Sequence, residues 1–256
     1  MLKKQLFLLF LIVSSGTGFG QTKSLTTAKK AKLYPKQEIV SRYHNNWTQK
    51  HYKQRIAAFE KEPLEMGEIV FIGNSITEKI KNWDQKFNIP HIRNRGIAGD
   101  LSDGVLKRLN EIVYFKPKAV FIMIGINDLF NKHHEEDNGK LIYDKIVPST
   151  AYVGKNILKI AKRIRHKSPE TIIYVRTVLP TRREYLKQDV LALNTIIKKN
   201  EAKGYYQILD IYNQFVDSNG DLAKELTVDG VHLSDKGYEK WVDFEKPTIE
   251  ALSIKK

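Results

Sequence analysis

The chain has 256 residues, of which 41% are hydrophobic and 28% are charged, and it contains no cysteine. This composition excludes a largely disordered chain, and the absence of cysteine excludes disulfides, thiolate catalysis and thiolate metal sites. The formal net charge of +14 favours anionic surroundings, but the lysines are spread along the whole chain, so a solvated basic surface explains it better. No recognition motif for nucleic acid accompanies the charge, and we therefore expect no nucleic-acid partner.

The first 20 residues have the pattern of a secretory signal peptide. Lys3 and Lys4 form a basic start, Leu6–Val13 is an unbroken apolar run, and small residues end the segment before Gln21. The apolar run is too short to span a bilayer, and the leading lysines disfavour a buried strand. We therefore expect removal of residues 1–20 on export, a mature protein in the periplasm or outside the cell, and no stable membrane insertion.

The next segments are expected to lead into one domain. Residues 21–36 are polar and basic without apolar periodicity, which predicts a flexible lead-in. Residues 37–256 are predicted to form a single domain that starts with a helical extension over residues 37–62. That helix is predicted because apolar residues recur at helical intervals, namely Val40, Tyr43, Trp47, Ile56 and Phe59.

From residue 68 onward, short apolar runs alternate with stretches of helical period. The predicted strands are 68–72, a weaker 89–94, 119–124, 171–175 and 207–211, and the predicted helices are 101–112, 151–164, 189–203 and 236–252. Strict alternation implies right-handed crossovers and a parallel sheet that helices cover on both faces. We predict an α/β fold, a three-layer α/β/α sandwich with a five-stranded parallel sheet. Functional residues should then lie just beyond the C-terminal ends of the strands.

A serine follows the first predicted strand in the sequence Gly73-Asn74-Ser75. The glycine lets the chain turn tightly, and the serine then opens a helix with its own backbone N–H free. Taken alone, this serine is most simply explained as a helix cap. The functional alternative is a nucleophile at the edge of the sheet.

The next two strand ends carry groups that can donate hydrogen bonds to an anion. Gly96 and Gly99 follow the second strand and would permit a backbone N–H to approach a ligand closely, although a turn is the simpler explanation. Asn127 follows the third strand and can offer its side-chain amide to a developing oxyanion. Asparagine is also an ordinary turn former, so each signal is weak on its own.

Near the end of the chain, Asp229 and His232 stand three residues apart across a glycine-containing turn. The carboxylate can reach Nδ1 of the imidazole, which fixes the tautomer and stabilises the imidazolium that forms when the other nitrogen takes a proton from a serine. This pair, in a chain that already has a serine after its first strand, is far more specific than a lone histidine.

These four motifs, in this order, resemble those of the SGNH hydrolase superfamily, also called the GDSL-type esterase and lipase family, from about residue 68 to the end. The resemblance implies a flavodoxin-like fold and a serine hydrolase that needs no cofactor and no metal. It implies Ser75 as the nucleophile, His232 as the general base and Asp229 as the carboxylate that orients it.

The resemblance also implies an oxyanion hole formed by the Ser75 backbone N–H, Gly99 and Asn127. Gly99 matches better than Gly96 because the family's oxyanion glycine is usually followed by aspartate, as Gly99 is by Asp100. The chain departs from the family name at Asn74, where an aspartate is usual. That position is not one of the four signature residues, so the departure affects local hydrogen bonding more than activity.

Further residues are candidates for substrate contact or metal binding. Arg182, Arg183 and Tyr185, together with Arg95, could contact a sugar or an anionic substituent, and a flexible basic loop is an equally good explanation. Trp83 fits core packing better than a wall of the site. The segment His133-His134-Glu135-Glu136 invites a metal interpretation, but a solvated loop explains it better, and the implied chemistry needs no metal.

The leading functional hypothesis is an exported esterase for small acyl groups, with acetylated carbohydrate as the expected substrate. It rests on the export signal, the absence of a long apolar lid segment, and the frequency of carbohydrate esterases in the family. A lysophospholipase or thioesterase is the alternative within the family. A non-catalytic flavodoxin-like binding module is the alternative of another class, although Gly73–Thr77 is poor in Gly, Ser and Thr for a phosphate loop. The sequence does not indicate the oligomeric state.

Overall fold

The part of the chain that can be described comprises Thr26 and residues 31–35, 41–134 and 145–254 of a computed structural model. The predicted signal peptide, residues 1–20, lies outside these residues, as does most of the predicted lead-in. In the ranges just given, no helix combines the length and the apolar character that crossing a membrane requires.

Five parallel strands form one sheet in the order β2-β1-β3-β4-β5. The strands are β1 (Ile69–Gly73), β2 (Ile92–Gly96), β3 (Ala119–Met123), β4 (Ile172–Arg176) and β5 (Gln207–Leu209). The neighbouring strands β1 and β3 are buried along their whole length and consist almost entirely of apolar residues, as a sheet covered on both faces requires. The prediction of five parallel strands is confirmed.

Helices cover both faces of this sheet, which makes the predicted three-layer sandwich. They are α1 (Asn46–Lys61), α2 (Ser75–Glu78), α3 (Trp83–Phe87), α4 (Ser102–Lys107), α5 (Asn110–Phe115), α6 (Ile126–Lys132), α7 (Thr150–Lys167), α8 (Lys187–Glu201), α9 (Tyr212–Phe215) and α10 (Asp235–Ile254). Two single 3₁₀ turns, Glu184–Leu186 and Lys224–Leu226, complete the described elements. Helix α7 packs against α4, α5 and α8, and α10 packs against α3.

Two predicted helices have different bounds in the structure. The helical extension starts at Asn46 rather than near residue 37, because Asn45 caps it by accepting a hydrogen bond from the Thr48 backbone N–H at 2.9 Å. The predicted helix 101–112 is divided into α4 and α5, since the chain leaves the helical conformation at Arg108, whose side chain turns inward to the strand ends.

The last described part of the predicted lead-in, residues 31–35, packs on the domain. Leu33 and Tyr34 are buried, and the Tyr34 hydroxyl donates a hydrogen bond to Glu111 on α5 at 2.8 Å. Burial and the nearby Glu111 carboxylate raise the pKa of Tyr34 far above its usual value, so this tyrosine stays neutral. The segment just before α1 is therefore anchored to the same face as α5.

A buried ion pair lies between the sheet and α10. The Arg176 guanidinium at the end of β4 contacts the Glu245 carboxylate at 2.5 and 2.7 Å, and both side chains are fully buried. The same guanidinium lies over the rings of Phe71 and Trp241, at 4.2 and 4.8 Å from the ring centroids. The ion pair with Glu245 and the stacking on the two rings allow the Arg176 charge to be buried in an aromatic core.

A second buried group connects the segments that follow β2 and β3. The Asp128 carboxylate on α6 accepts hydrogen bonds from the Ser102 backbone N–H at 2.9 Å and from the Ser102 hydroxyl at 2.6 Å. Ser102 is the first residue of α4, and its hydroxyl also accepts a hydrogen bond from Asn156 on α7 at 3.1 Å. Burial raises the pKa of Asp128 to about 7, although the bonds from Ser102 act in the opposite direction.

Replacing Glu245 tests the buried ion pair. We expect Glu245→Ala to lower the free energy of unfolding by about 3–5 kcal/mol, because it leaves the Arg176 charge buried and unpaired. Urea denaturation measures this free energy. Glu250→Ala on the same helix, where the side chain is exposed, is the control and should change it by no more than about 0.5 kcal/mol. Equal effects of the two substitutions would contradict the assignment.

The raised pKa of Asp128 predicts a pH dependence of stability. Because its folded-state pKa of about 7 exceeds the ordinary value of 3.8, the stabilising contribution of this group is complete below pH 3.8 and is lost as the pH rises through 7. The side chain of Asp128→Asn cannot ionise. The free energy of unfolding of this variant, relative to that of the native protein, should therefore increase between pH 4 and 8, by up to about 4 kcal/mol. Urea denaturation at several pH values measures this difference, and parallel profiles for the two proteins would refute it.

Candidate active site

The turn after β1 presents Ser75 at the edge of the sheet. Gly73 ends the strand where no side chain fits, because a Cβ atom there would lie 2.1 Å from Thr77 Oγ1 and 2.7 Å from the Met123 carbonyl oxygen. Asn74 then caps α2 by accepting a hydrogen bond from the Ile76 backbone N–H at 3.1 Å. Because the cap is Asn74 and not Ser75, the serine hydroxyl is free for another partner.

That partner is His232. Ser75 Oγ lies 2.9 Å from His232 Nε2, and His232 Nδ1 lies 2.7 Å from Asp229 Oδ2. With Nδ1 donating to the carboxylate, Nε2 is the nitrogen that accepts from the serine hydroxyl. Ser75, His232 and Asp229, which the sequence predicts from separate motifs, therefore form one continuous chain of hydrogen bonds.

The Asp229 side chain shapes the turn that carries His232. Its Oδ1 atom accepts hydrogen bonds from the backbone N–H groups of Val231 at 2.9 Å and of His232 at 2.8 Å, while Oδ2 contacts the imidazole. Partial burial raises the pKa of Asp229, but these hydrogen bonds outweigh it and place the pKa below the usual value for aspartate. The carboxylate is thus ionised over the whole neutral range.

The loop after β2 brings Gly99 to the same edge of the sheet. The Ile97 N–H donates to the Gly73 carbonyl at 3.0 Å, which joins this loop to the turn before Ser75. Gly99 has a positive φ of 76°, a conformation that favours glycine. A Cβ atom at this position would lie 2.4 Å from Thr48 Cγ2, so α1 packs directly on the glycine.

Asn127, in the first turn of α6, is partly buried beside the same loop. Its Nδ2 atom donates a hydrogen bond to the carbonyl oxygen of Asp100 at 3.0 Å, the residue after Gly99. One of the two amide N–H groups is therefore used to hold the loop, and the other is left for a further acceptor. The two predicted oxyanion residues are linked to each other through Asp100.

Arg108 fixes the backbone around these residues. Its guanidinium donates to the Gly73 carbonyl at 3.2 Å, to the Arg95 carbonyl at 2.6 Å and to the Asp100 carboxylate at 2.9 Å. Arg108 and Asp100 are both buried. This side chain connects the C-terminal ends of β1 and β2 to the loop that contains Gly99.

Two hollows of very different size lie at or near Ser75. A cleft of about 640 Å³ includes Ser75, Asp229, His232, Ala98 and Val228 in its walls. A cavity of about 10 Å³ is lined by the chain neighbours of Ser75, Asn127 and His232, namely Ile76, Ile126 and Val231, and not by those three residues themselves. The small cavity will be called the inner cavity and the large one the outer cleft.

The three residues predicted after β4 lie behind the His232 turn. Arg182 pairs with Asp217 and donates to the Leu222 carbonyl at 3.0 Å, and Arg183 donates to the Asp229 carbonyl at 3.1 Å. The Tyr185 ring packs against Phe130 and His133. Among the described residues that line the outer cleft, none of these three appears, and the two arginines brace the turn between Asp229 and His232.

Arg95 and Trp83 do not reach the outer cleft. Arg95 is only 4% exposed, is held by two hydrogen bonds to Glu111 and is not among the described residues that line the outer cleft, so its contact with substrate stays a prediction. Trp83 is fully buried and packs against Phe71 and Trp241, as expected for a core residue.

The predicted loop around His133 carries an ion pair. His133 Nε2 lies 2.6 Å from Asp189 Oδ2, which also contacts Lys132 at 2.7 Å. Glu135 and Glu136 lie outside the described residues. Among the residues that are described, no group of three or more His, Asp or Glu side chains is arranged to hold a metal ion.

Sequence reasoning missed the contribution of α1 and Glu78 to the site. Glu78 accepts a hydrogen bond from the Ala98 N–H and contacts His51 at 2.9 Å, and His51 stacks on Trp47. Glu78 follows Ser75 by three residues on a helix, and this spacing places both on one side. The sequence could therefore have indicated Glu78 as a residue of the site. No local signal indicates the contact with α1, because that helix lies far from the motifs in sequence.

The GDSL-like Lipase/Acylhydrolase family model matches residues 71–240. Platelet-activating factor acetylhydrolase IB subunit alpha2 of Rattus norvegicus is 28% identical over 204 residues, which cover 77% of this chain and 80% of that protein. The crystal structure of a GDSL-like lipase from Bacteroides thetaiotaomicron has a TM-score of 0.65 at 23% identity, with 78% of this chain and 97% of that one covered.

An acetylxylan esterase from Geobacillus stearothermophilus has the same fold, with a TM-score of 0.59 at 17% identity and coverage of 75% of this chain and 97% of that one. The family model extends over more than half of the chain and includes the strand ends that carry Ser75, Gly99, Asn127 and His232. The protein therefore belongs to the GDSL-like lipase/acylhydrolase family of ester-hydrolysing enzymes.

Proposed function

We propose that the protein is an exported serine esterase that removes acetyl groups from carbohydrate through an acyl-enzyme. The observation that carries this proposal is the chain of hydrogen bonds from Asp229 through His232 to Ser75, at the wall of an open cleft. Export rests on the sequence of residues 1–20, a basic start followed by an apolar run and small residues.

In the proposed reaction Ser75 Oγ attacks the ester carbonyl while His232 Nε2 takes the hydroxyl proton. The Asp229 carboxylate, whose pKa is lowered, stabilises the imidazolium that results. His232 then returns the proton to the leaving alcohol, and afterwards activates the water that hydrolyses the acyl-enzyme.

The negative charge that develops on the carbonyl oxygen needs donors that are already in place. The N–H groups of Ser75 and Gly99 and the free side-chain N–H of Asn127 are proposed to supply them. Arg108 and the Asn127–Asp100 hydrogen bond hold the backbone of this region before substrate arrives, so little reorganisation is needed.

The inner cavity supports a preference for acetyl over longer acyl groups. Its volume of about 10 Å³ is close to that of one water-sized probe, so it has no room for a long acyl chain. Its lining is almost entirely apolar, including Ile76, Ile126, Leu179 and Val231. The name of the curated relatives, acetylhydrolase, agrees with this proposal.

The walls of the outer cleft favour a polar alcohol over a lipid. Eight of its ten lining residues are polar or charged, and only Ala98 and Val228 are apolar. The hydroxyl groups of a sugar would find many hydrogen-bonding partners in such a cleft. This is the basis for proposing carbohydrate rather than lysophospholipid as the substrate.

Substituting Ser75 and Asn127 tests the catalytic assignment. We expect Ser75→Ala to abolish turnover of p-nitrophenyl acetate and labelling by a fluorophosphonate probe. Asn127→Ala should lower kcat about 10²–10³-fold while labelling persists, because one oxyanion donor is lost and the nucleophile remains. Undiminished hydrolysis by purified Ser75→Ala would refute the proposal.

The size of the inner cavity predicts the acyl specificity. The native protein should hydrolyse p-nitrophenyl acetate far faster than the octanoate ester, and Leu179→Ala should raise the butanoate-to-acetate ratio of kcat/KM about tenfold by enlarging the cavity. Leu252→Ala is the matched control, because Leu252 is equally buried at 3% exposure but lies on α10. A native preference for octanoate would instead favour a lysophospholipase or thioesterase.

A further inference from the structure

The outer cleft contains three cations next to the proposed nucleophile. Arg55 on α1, Lys79 at the end of α2 and Lys81 two residues later all line the same space as Ser75 and His232. Lys79 follows Ser75 by one helical turn, and its backbone N–H donates to the Ser75 carbonyl at 2.9 Å. Side chains at this spacing lie on the same side of a helix, so Lys79 and Ser75 face the same cleft.

Only one of these three cations, Arg55, has an ion-pair partner among the described residues, namely Glu78. In the part of the chain that the structure describes, neither Lys79 nor Lys81 has an ion-pair partner. Arg55 uses its Nε atom, which donates to the Gly96 carbonyl at 3.2 Å and lies 3.6 Å from Glu78 Oε1. Its two terminal nitrogens have no partner among the described residues and are left to bind an anion.

The two carboxylates in the cleft, of Glu78 and Asp229, already have partners within the protein. Glu78 accepts from the Ala98 N–H and contacts His51 at 2.9 Å, and Asp229 contacts His232 at 2.7 Å. Neither contacts a lysine of the cleft. The cleft therefore presents net positive charge to whatever occupies it, and an arginine with free terminal nitrogens is well suited to bind a carboxylate in a bidentate manner.

The backbone that carries the lysines is held in place. Asn94 Nδ2 donates to the carbonyl oxygens of Thr77 at 3.1 Å, Glu78 at 3.3 Å and Ile80 at 2.7 Å, which fixes the turn on which Lys79 and Lys81 stand. Arg55, Lys81 and Asn94 also line an adjoining hollow of about 250 Å³, so the cleft continues away from Ser75 between α1 and β2. Such a path has room for more than one sugar unit.

We propose that Arg55, Lys79 and Lys81 form a subsite for a carboxylate on the leaving alcohol, so that the substrate is an acetylated acidic oligosaccharide containing uronic acid residues. This inference rests on the proposed function, because it assigns the alcohol side of the same reaction. A phospholipid would also offer an anion, but the hollow that continues the cleft is lined mainly by polar and charged residues, which suit a sugar chain better than alkyl chains.

A pair of substrates that differ only in charge tests the subsite. Release of acetate is measured from acetylated oligogalacturonate and from the same oligosaccharide with its carboxyl groups methyl-esterified. For the native protein we expect kcat/KM to be about tenfold higher on the acidic substrate than on the methyl-esterified one, and we expect this difference to arise from KM. As the salt concentration increases, kcat/KM on the acidic substrate should fall toward its value on the methyl-esterified substrate. Equal values on the two substrates would overturn the proposal.

Charge-removing variants identify the residues. We expect the ratio of kcat/KM on the acidic substrate to that on the neutral substrate to fall about tenfold in the double variant Lys79→Gln/Lys81→Gln. The single variant Arg55→Gln should also lower this ratio. Lys199→Gln, which removes one exposed charge from α8, is the matched control and should keep the native ratio. A ratio that is the same in the variants as in the native protein would overturn the assignment.

The outcomes separate the subsite from the proposed function. Turnover of p-nitrophenyl acetate with no preference for the acidic oligosaccharide refutes the subsite alone. Failure to hydrolyse any acetyl ester, together with no fluorophosphonate labelling, refutes the proposed function. Faster hydrolysis of an acetylated anionic phospholipid in micelles than of acetylated oligogalacturonate would replace the sugar by a lipid and so overturn the inference.

Discussion

The edge of the sheet on which the candidate site is built depends on the buried guanidinium of Arg108. Two carbonyl groups at the C-terminal ends of parallel strands, of Gly73 and Arg95, accept hydrogen bonds from this one side chain. The third contact, with the Asp100 carboxylate, neutralises the charge and fixes the loop of Gly99. A buried arginine with three such partners is well satisfied, and the geometry around Ser75 follows from where it lies.

The site has two sides with different origins. The side that is proposed to perform catalysis comes from turns at the ends of β1, β2 and β3 and from the turn before α10. The opposite side comes from α1, whose Thr48 contacts Gly99 and whose Arg55 donates to the Gly96 carbonyl. Trp47, on the same helix, is 59% exposed beside this contact, and Val228 across the cleft is 69% exposed. Substrate alcohols would pass between these two surfaces.

The sheet and the catalytic motifs could be predicted from sequence because both have local signatures. Residues of β1 and β3 are apolar without interruption, and the turns after the strands carry glycine, serine and asparagine at short spacings. The pairing of Ser75 with His232 spans 157 residues, yet each partner stands in a recognisable motif of its own. Because the motifs follow the ends of parallel strands, their order along the chain predicts that they lie at one edge of the sheet.

The interactions that support these motifs could not be predicted in the same way. The sequence suggests Arg95 as a substrate contact and carries no signal for Arg108, and only the folded chain shows that Glu111 and Asp100 neutralise them in the interior. The start of α1 was misplaced because apolar spacing continues through residues that precede its cap, Asn45. The contact of α1 with Gly99 joins segments with no shared pattern, so nothing in either one indicates it.

Helix α1 lies wholly outside the range of the family match, which begins at residue 71. The family motifs therefore do not include every residue that borders the cleft. On α1, Thr48 packs on Gly99 and is tied to the loop beside Ser75, whereas Arg55 reaches the cleft with its terminal nitrogens. A substitution at Arg55 can thus change the charge that a substrate alcohol meets without replacing a residue of the motifs.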